Sequence, residues 1–370
     1  MKRLTSLRTL CPPVSFVVVC AGLALALQSC SSKNNDPTPE LEPGGGKEAT
    51  VDDPNDIYVA GIQKNSSSVP VATYWKNGEA TPLSDGQREA VAKSVYVSGS
   101  DVYVVGYTTN AAGKHVATLW KNGDAISLTD GKEQSDATSV YVSGSSVLVA
   151  GYATVDGRAM PVYWQNQAMK VLELEPKAFG GKADAITMDG SDILVAGTQQ
   201  PQKALFWKNT TRTVLPADGA TTFLVNGIST ANHHVYVAAT ALIGGIFKAL
   251  LWKDGVSQPL ALGAGLSNAN GVSAAADGVY VTGNEVEADN LVYGKVWKDG
   301  KATKLLSESN YVEGKAVAVV DGKVYVAGNK QLTGVQSRKV VMIWRDGKEL
   351  KTYSDAGYDA EAYAIFVVKK

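Results

Sequence analysis

Five carboxylates, Glu89, Glu133, Asp184, Glu313 and Asp359, fall in polar segments between apolar runs. Two carboxylates held roughly 5–10 Å apart could act as acid and base, or as acid and nucleophile, on a glycosidic bond. The histidines are His115 and the adjacent pair His233–His234. His115 reads as a surface residue in a loop. The pair reads as a solvated turn with no visible partners for a metal. All three cysteines, Cys11, Cys20 and Cys30, lie within the first 30 residues. The rest of the chain therefore has no thiol nucleophile, no thiolate zinc site and no disulfide framework. Nothing matches a phosphate loop, a nucleophile elbow, H-E-x-x-H or a calcium loop. No catalytic residue set, metal or cofactor is expected on these grounds.

A different set of residues recurs with a period. The chain holds seven tryptophans, Trp75, Trp120, Trp164, Trp207, Trp252, Trp297 and Trp344, with gaps of 45, 44, 43, 45, 45 and 47 residues. Each is followed by WKNG or a variant (WQNQ, WKNT, WKDG, WRDG). Asn-Gly and Asp-Gly are strong hairpin signals, because a type I′ turn needs positive φ at both central positions. Before each Trp stands a β-branched run: IYVAG, VYVVG, VLVAG, ILVAG, VYVAA, VYVTG and VYVAG. Only the fifth ends in Ala, at Ala239. Eight residues before the later markers sits a small residue: Ser94, Ser139, Ala185, Gly227, Gly271 or Ala316.

Each unit thus reads as four short antiparallel strands, the signature of a β-propeller blade. The first unit lacks its opening strand, and AEAYAIFVVKK (360–370) ends the chain with no blade after it. The expected fold is all-β, a seven-bladed propeller over 54–370 whose C-terminal strand completes blade one. The residues before the tryptophans are also apolar, so both faces of that strand must be covered. The tryptophans are expected between blades, with Lys76, Lys121 and their equivalents as solvated turn residues.

The residue just before each small position is Lys93, Thr138, Asp184, Asn226, Asn270, Lys315 and, from the last strand, Tyr363. None is aliphatic. The blade geometry brings this position to the mouth of a central channel seven times, where it can hydrogen-bond a polar ligand. Tyr311 and Tyr358, with Phe179 and Phe223, are candidate stacking partners from neighbouring loops.

The N-terminus suggests an address. Lys2, Arg3 and Arg8 precede an apolar stretch at 14–28, too short for a comfortable membrane span and suited to a signal peptide. LQSC (27–30) resembles the lipobox of bacterial lipoprotein signal peptides, which implies lipidation at Cys30 and a membrane partner. Residues 1–29 are read as the leader and 30–53 as the lipidated Cys and a flexible Pro/Gly-rich tether. With 370 residues, 19% charged and a net charge of -1, the chain has no basic excess for nucleic acid.

Residues 54–370 resemble seven-bladed propeller proteins, and the repeat style resembles Bacteroidota propeller lipoproteins of unassigned function. The resemblance implies an outer-membrane lipoprotein, periplasmic or surface-exposed. No Trp-Asp dipeptide, blade-spaced Gly-Gly pair or sialidase Asp-box is present, so WD40, kelch and sialidase families are not indicated. A fold does not fix a function. The expectation is a membrane-anchored, non-enzymatic module recognising a glycan, a peptide or an envelope protein. A carbohydrate-active hydrolase or lyase using the five carboxylates, and a structural subunit of an envelope complex, are the alternatives.

Overall fold

A computed structural model describes residues 53–261, 265–332, 337–353 and 357–370. The leader, Cys30 and all of the tether but Asp53 lie outside the described residues. The described chain forms seven sheets of four antiparallel strands.

Blade 1 comprises Asp56–Lys64, Pro70–Lys76 and Glu79–Pro82, with Ala360–Val368 as its innermost strand. The C-terminal strand pairs with the first strand from Asp56↔Val368 to Gln63↔Ala360, as expected from the sequence. Blades 2 to 7 each run in chain order from the inside out. Their inner strands are Ala90–Ser98, Ser135–Ser143, Gly180–Asp189, Ala220–Ala231, Ser267–Ala275 and Val312–Val320. Each inner strand packs against the next, and Val312–Val320 packs against Ala360–Val368, so the ring is closed.

The seven tryptophans are all at most 1% exposed. Each packs on the blade before its own. Trp120 lies among Tyr58, Ala60 and Leu83 of blade 1, and Trp164 among Tyr103, Val105 and Leu119 of blade 2. Trp75 closes the circle against Tyr325, Ala327 and Ile343 of blade 7. Burying so large a ring removes apolar area from water on both sheet faces at once.

The turns after the tryptophans have a second task. The Asn or Asp in each has positive φ, from 47° at Asn166 and Asp299 to 59° at Asn209. Its side-chain oxygen accepts the backbone N–H that opens the blade's second strand: Asn122 from Val102 at 2.8 Å, Asp254 from Val235 at 2.9 Å, and likewise in the other five blades. Asn and Asp satisfy both demands, since they tolerate the left-handed region and carry an acceptor on a short arm.

The lysines beside the tryptophans correct the expectation of plain solvation. Lys76 pairs with Asp56 at 3.3 Å, Lys121 with Asp101 at 2.7 Å and Lys298 with Asp277 at 2.9 Å. The same three ammonium groups lie 4.9–5.3 Å from the ring centroids of Tyr58, Tyr103 and Tyr280. They are half-exposed struts that tie the end of a blade's third strand to the start of its second.

Candidate functional site

Every inner strand carries a β-bulge at one equivalent place. The register skips between Ala92 and Ser94, Ala137 and Ser139, Ala183 and Ala185, Val225 and Gly227, Ala269 and Gly271, and Gly314 and Ala316. In blade 1 it skips between Ala362 and Ala364. The extra residues are Lys93, Thr138, Asp184, Asn226, Asn270, Lys315 and Tyr363. A bulge leaves its extra residue outside the ladder and re-aims its side chain. All seven line one central channel of about 440 Å³.

The bulge also explains the glycine that ends the second-strand marker. A Cβ on Gly106 would stand 1.8 Å from the Val91 carbonyl oxygen, and one on Gly151 2.0 Å from that of Asp136. Gly61, Gly197, Gly283 and Gly328 are confined in the same way. Blade 5 is the exception. It carries Ala239, and its inner strand is the longest, 12 residues with a second irregularity between Ala220 and Thr222.

Just inside the mouth, inner strands of neighbouring blades nearly touch. A Cβ on Gly271 would be 3.1 Å from the Lys315 carbonyl oxygen, and one on Gly227 3.3 Å from the Val272 nitrogen. This close approach is why the position after the bulge is small in every blade.

Several mouth side chains stitch one blade to the next. Thr138 donates to the Ala183 carbonyl at 2.8 Å, Asn226 to that of Ala269 at 2.7 Å and Asn270 to that of Gly314 at 2.8 Å. Each acceptor immediately precedes the neighbour's bulge residue. The Lys93 ammonium reaches across to the Asp136 carboxylate, and lies 5.1 Å from the Tyr107 ring centroid. Asp184 is held within its own blade by Lys182 at 2.7 Å and Thr198 at 3.3 Å. Lys315 pairs with Glu313 at 3.2 Å, and the Tyr363 hydroxyl donates to Glu361 at 3.3 Å.

The rim is therefore charged but internally compensated. Burial raises the Asp184 carboxyl above the usual carboxylate range, although Lys182 pulls it down. Burial also pushes Glu313 up, but Lys315, Tyr311 and Lys339 outweigh it and leave that carboxyl below its usual range. Burial, with the Asp136 charge beside it, lifts the Tyr152 phenol to about 12.

The two other tyrosines named from sequence stand elsewhere. Tyr311 lies beside Glu313 with the Lys339 ammonium 6.0 Å from its ring centroid, and Tyr358 is 42% exposed; neither lines the channel. Phe223 is buried against Trp252, while Phe179 is 64% exposed on a loop. His115 is half-buried and stacks on Tyr107 at 3.9 Å, which corrects its reading as a plain surface residue. His233, in the turn, and His234, which opens the strand His234–Ile243, are exposed and face Asp189 at 3.3 Å and Asp254 at 2.6 Å. Among the described residues no three His, Cys, Asp or Glu side chains come together so as to hold a metal ion.

Of the five carboxylates, only Asp184 lines the channel. Glu89 accepts from the Tyr107 hydroxyl, Glu133 faces Lys114 at 3.6 Å, and Asp359 pairs with Lys64 at 3.0 Å. Each is engaged locally, and among the described residues no hydrogen bond joins any two of the five.

No family model matches the chain, and no curated protein matches it. Among solved structures the chain is similar to one from the crystal structure of a nidogen/laminin complex, at 10% identity and TM-score 0.45, covering 84% of this chain and 98% of that one. It is similar to the computationally designed Ika8 protein at 16% identity and TM-score 0.44, covering 84% and 94%. It is also similar to TolB from Acinetobacter baumannii at 13% identity and TM-score 0.48, covering 68% and 64%. At these scores the likenesses carry no argument about function, and the seven-bladed propeller rests on the strand pairing itself.

Proposed function

We propose that this protein is a non-enzymatic recognition module of a bacterial cell envelope, tethered through a lipidated Cys30 and binding a polar ligand at the mouth of its central channel. The observation that carries the reading is the convergence of the seven bulge residues on one cavity. A volume of about 440 Å³ falls within the range of small-ligand sites, which is roughly 300–1,000 Å³. The rim offers amide, hydroxyl, ammonium and carboxylate groups in near balance, which suits an uncharged or zwitterionic ligand such as a glycan or a peptide segment. A lipid anchor fits the short apolar leader and lipobox, each buried CH₂ of an acyl chain being worth about 0.8 kcal/mol. The carbohydrate-active alternative needs two carboxylates facing one bond, and the channel presents one of the five candidates.

The test is a glycan and peptide array probed with the protein and with the Lys93→Ala, Asp184→Ala, Lys315→Ala triple variant. Binding lost in the triple variant, with its unfolding transition retained, supports recognition at the mouth. Binding indifferent to all three changes overturns it.

A further inference from the structure

Three residues beyond each bulge, the inner strand again points a side chain into the channel. At the intervening level every blade obeys one rule, since neighbouring strands nearly touch and only small residues fit. Here the seven equivalent positions diverge, and they diverge by sector. Blades 1, 2 and 3 supply Phe366, Tyr96 and Tyr141, which form one continuous aromatic wall. The Tyr96 ring lies 4.6 Å from that of Phe366 and 5.2 Å from that of Tyr141, tilted by 48° and 62°. Blades 4 to 7 supply Thr187, Ser229, Ser273 and Ala318 on the facing side. The strand pairing at this level is equivalent in all seven blades, so the ladder itself does not dictate the split; each of the three rings also packs with part of its surface on a blade core.

We infer that this level of the channel is a second, uncharged binding subsite that takes one neutral saccharide ring, its apolar C–H face against Phe366 and Tyr96 and its hydroxyls toward Thr187, Ser229 and Ser273. The chemistry is set by what stands there: aromatic faces on one side, hydroxyls on the other, and no ionised group among the residues of this level. Aromatic rings offer broad apolar contact at little conformational cost, and Tyr adds a polar tip. Burial, and after it the neighbouring Tyr141 hydroxyl, raise the Tyr96 phenol above its ordinary value, so Tyr96 acts as a neutral donor or acceptor. The Ser229 hydroxyl is fixed in place by the Ala274 N–H at 2.9 Å. A charged ligand group would have no counter-ion at this depth and would lose its hydration. A charged or zwitterionic peptide end is thereby disfavoured, and a neutral sugar is the better fit.

The inference rests on the reading of the channel as a recognition site and adds the ligand class and a second contact level. Saturation-transfer NMR of the whole protein with methyl glucoside, methyl galactoside and methyl N-acetylglucosaminide tests it. The variants are Phe366→Leu, Tyr96→Leu and Ser273→Phe, with Lys93→Ala as a rim control. The third variant fills the channel from the hydroxyl side and leaves the aromatic wall intact, so a loss there is not a loss of the wall's fold. The expected result is transfer to at least one of the three glycosides, weakened about tenfold by each aromatic change and abolished by Ser273→Phe. Transfer that survives Ser273→Phe and both aromatic changes overturns the subsite. If it is lost only in Lys93→Ala, the rim alone binds and the subsite is again overturned. No transfer from any of the three glycosides overturns the saccharide assignment, while peptide binding on the array would still uphold the rim.

Discussion

Asp53 Oδ2 lies 2.6 Å from Arg345 Nη1, joining the residues just ahead of the first strand to the third strand of blade 7. The Tyr325 hydroxyl adds a second tie, donating to the same carboxylate at 3.0 Å, and Asn55 donates to Tyr325 at 2.9 Å. The Asp53 carboxylate is only 7% exposed. The ring is thus fastened across its seam by side chains as well as by the shared sheet of blade 1.

Removing one partner of this tie should be felt more than removing a surface pair. Arg345→Ala leaves the Asp53 carboxylate uncompensated, with an expected loss of about 2–4 kcal/mol in urea unfolding. Lys132→Ala, which breaks the exposed Lys132–Asp130 pair, should leave the unfolding midpoint essentially unchanged. Equal effects from the two variants would show that the seam tie does not hold the ring.

The confined glycines give a sharper contrast. Gly106→Ala drives a Cβ to 1.8 Å from a backbone carbonyl that cannot move without opening the bulge. A loss of about 2–4 kcal/mol is expected, or failure to fold. Ala239→Gly in blade 5 should cost no more than about 1 kcal/mol, the usual penalty for a strand glycine. Denaturation midpoints of the two variants decide the point.

The seven turn residues predict a substitution order. Asn166→Asp should be nearly neutral, because Asp stands at the equivalent positions 254, 299 and 346 and makes the same bond; Asn122 is unsuited to this exchange, since its Nδ2 donates to Asp101 at 2.8 Å and an aspartate there would face a second carboxylate. Asn166→Ala loses the acceptor for the Val147 N–H and places a plain Cβ at φ 47°. It should cost about 1–3 kcal/mol. Alanine and aspartate with equal midpoints would remove the capping argument.

Two aspartates should respond to pH in opposite senses. Burial tends to raise the Asp56 carboxyl, but hydrogen bonds from Lys370, Asn77 and Lys76 prevail and hold it at about 2, against an ordinary 3.8. Its contribution is fully present above the ordinary value and is lost as pH falls through about 2, so Asp56→Asn should flatten the acid limb of the stability curve. Asp184 is shifted upward by burial, so its contribution is present below the ordinary carboxylate range and is lost as pH rises through its own pKa. Removing Lys182 as Lys182→Met should move Asp184 further up, since that ammonium is its main downward influence. Carbon-13 carboxyl titration of labelled aspartates reads both directly; a downward move of Asp184 in Lys182→Met would refute the assignment.

The repeat was legible because the same physical demand recurs at each blade. A Trp needs two apolar faces, a tight turn needs Asn or Asp with Gly, and a bulge needs a glycine opposite; each leaves a periodic mark. The mouth residues could be listed in advance by the same counting, though not the reason they face the channel. The bulge is a register event between two strands, invisible until both are placed. The seam tie was illegible for a different cause: Asp53 and Arg345 lie 292 residues apart and belong to no repeat. The wall of Phe366, Tyr96 and Tyr141 escaped notice because it is a departure from periodicity, and its three members become neighbours only once the last strand joins the first.

That joining has a consequence in time. The strand Ala360–Val368 is made after every other described strand, and it alone supplies the inner wall of the first blade. Six blades can pair their own strands as they emerge, since chains generally fold from the N-terminus during synthesis. The first blade must wait with an open edge until Ala360–Val368 has been made. A chain ending just before Ala360 would keep its seven tryptophans, yet present an unpaired strand and a breached channel. Synthesis of the closing strand and competence of the central site are therefore one event, and a copy that ends before Ala360 marks itself by an exposed edge open to quality control.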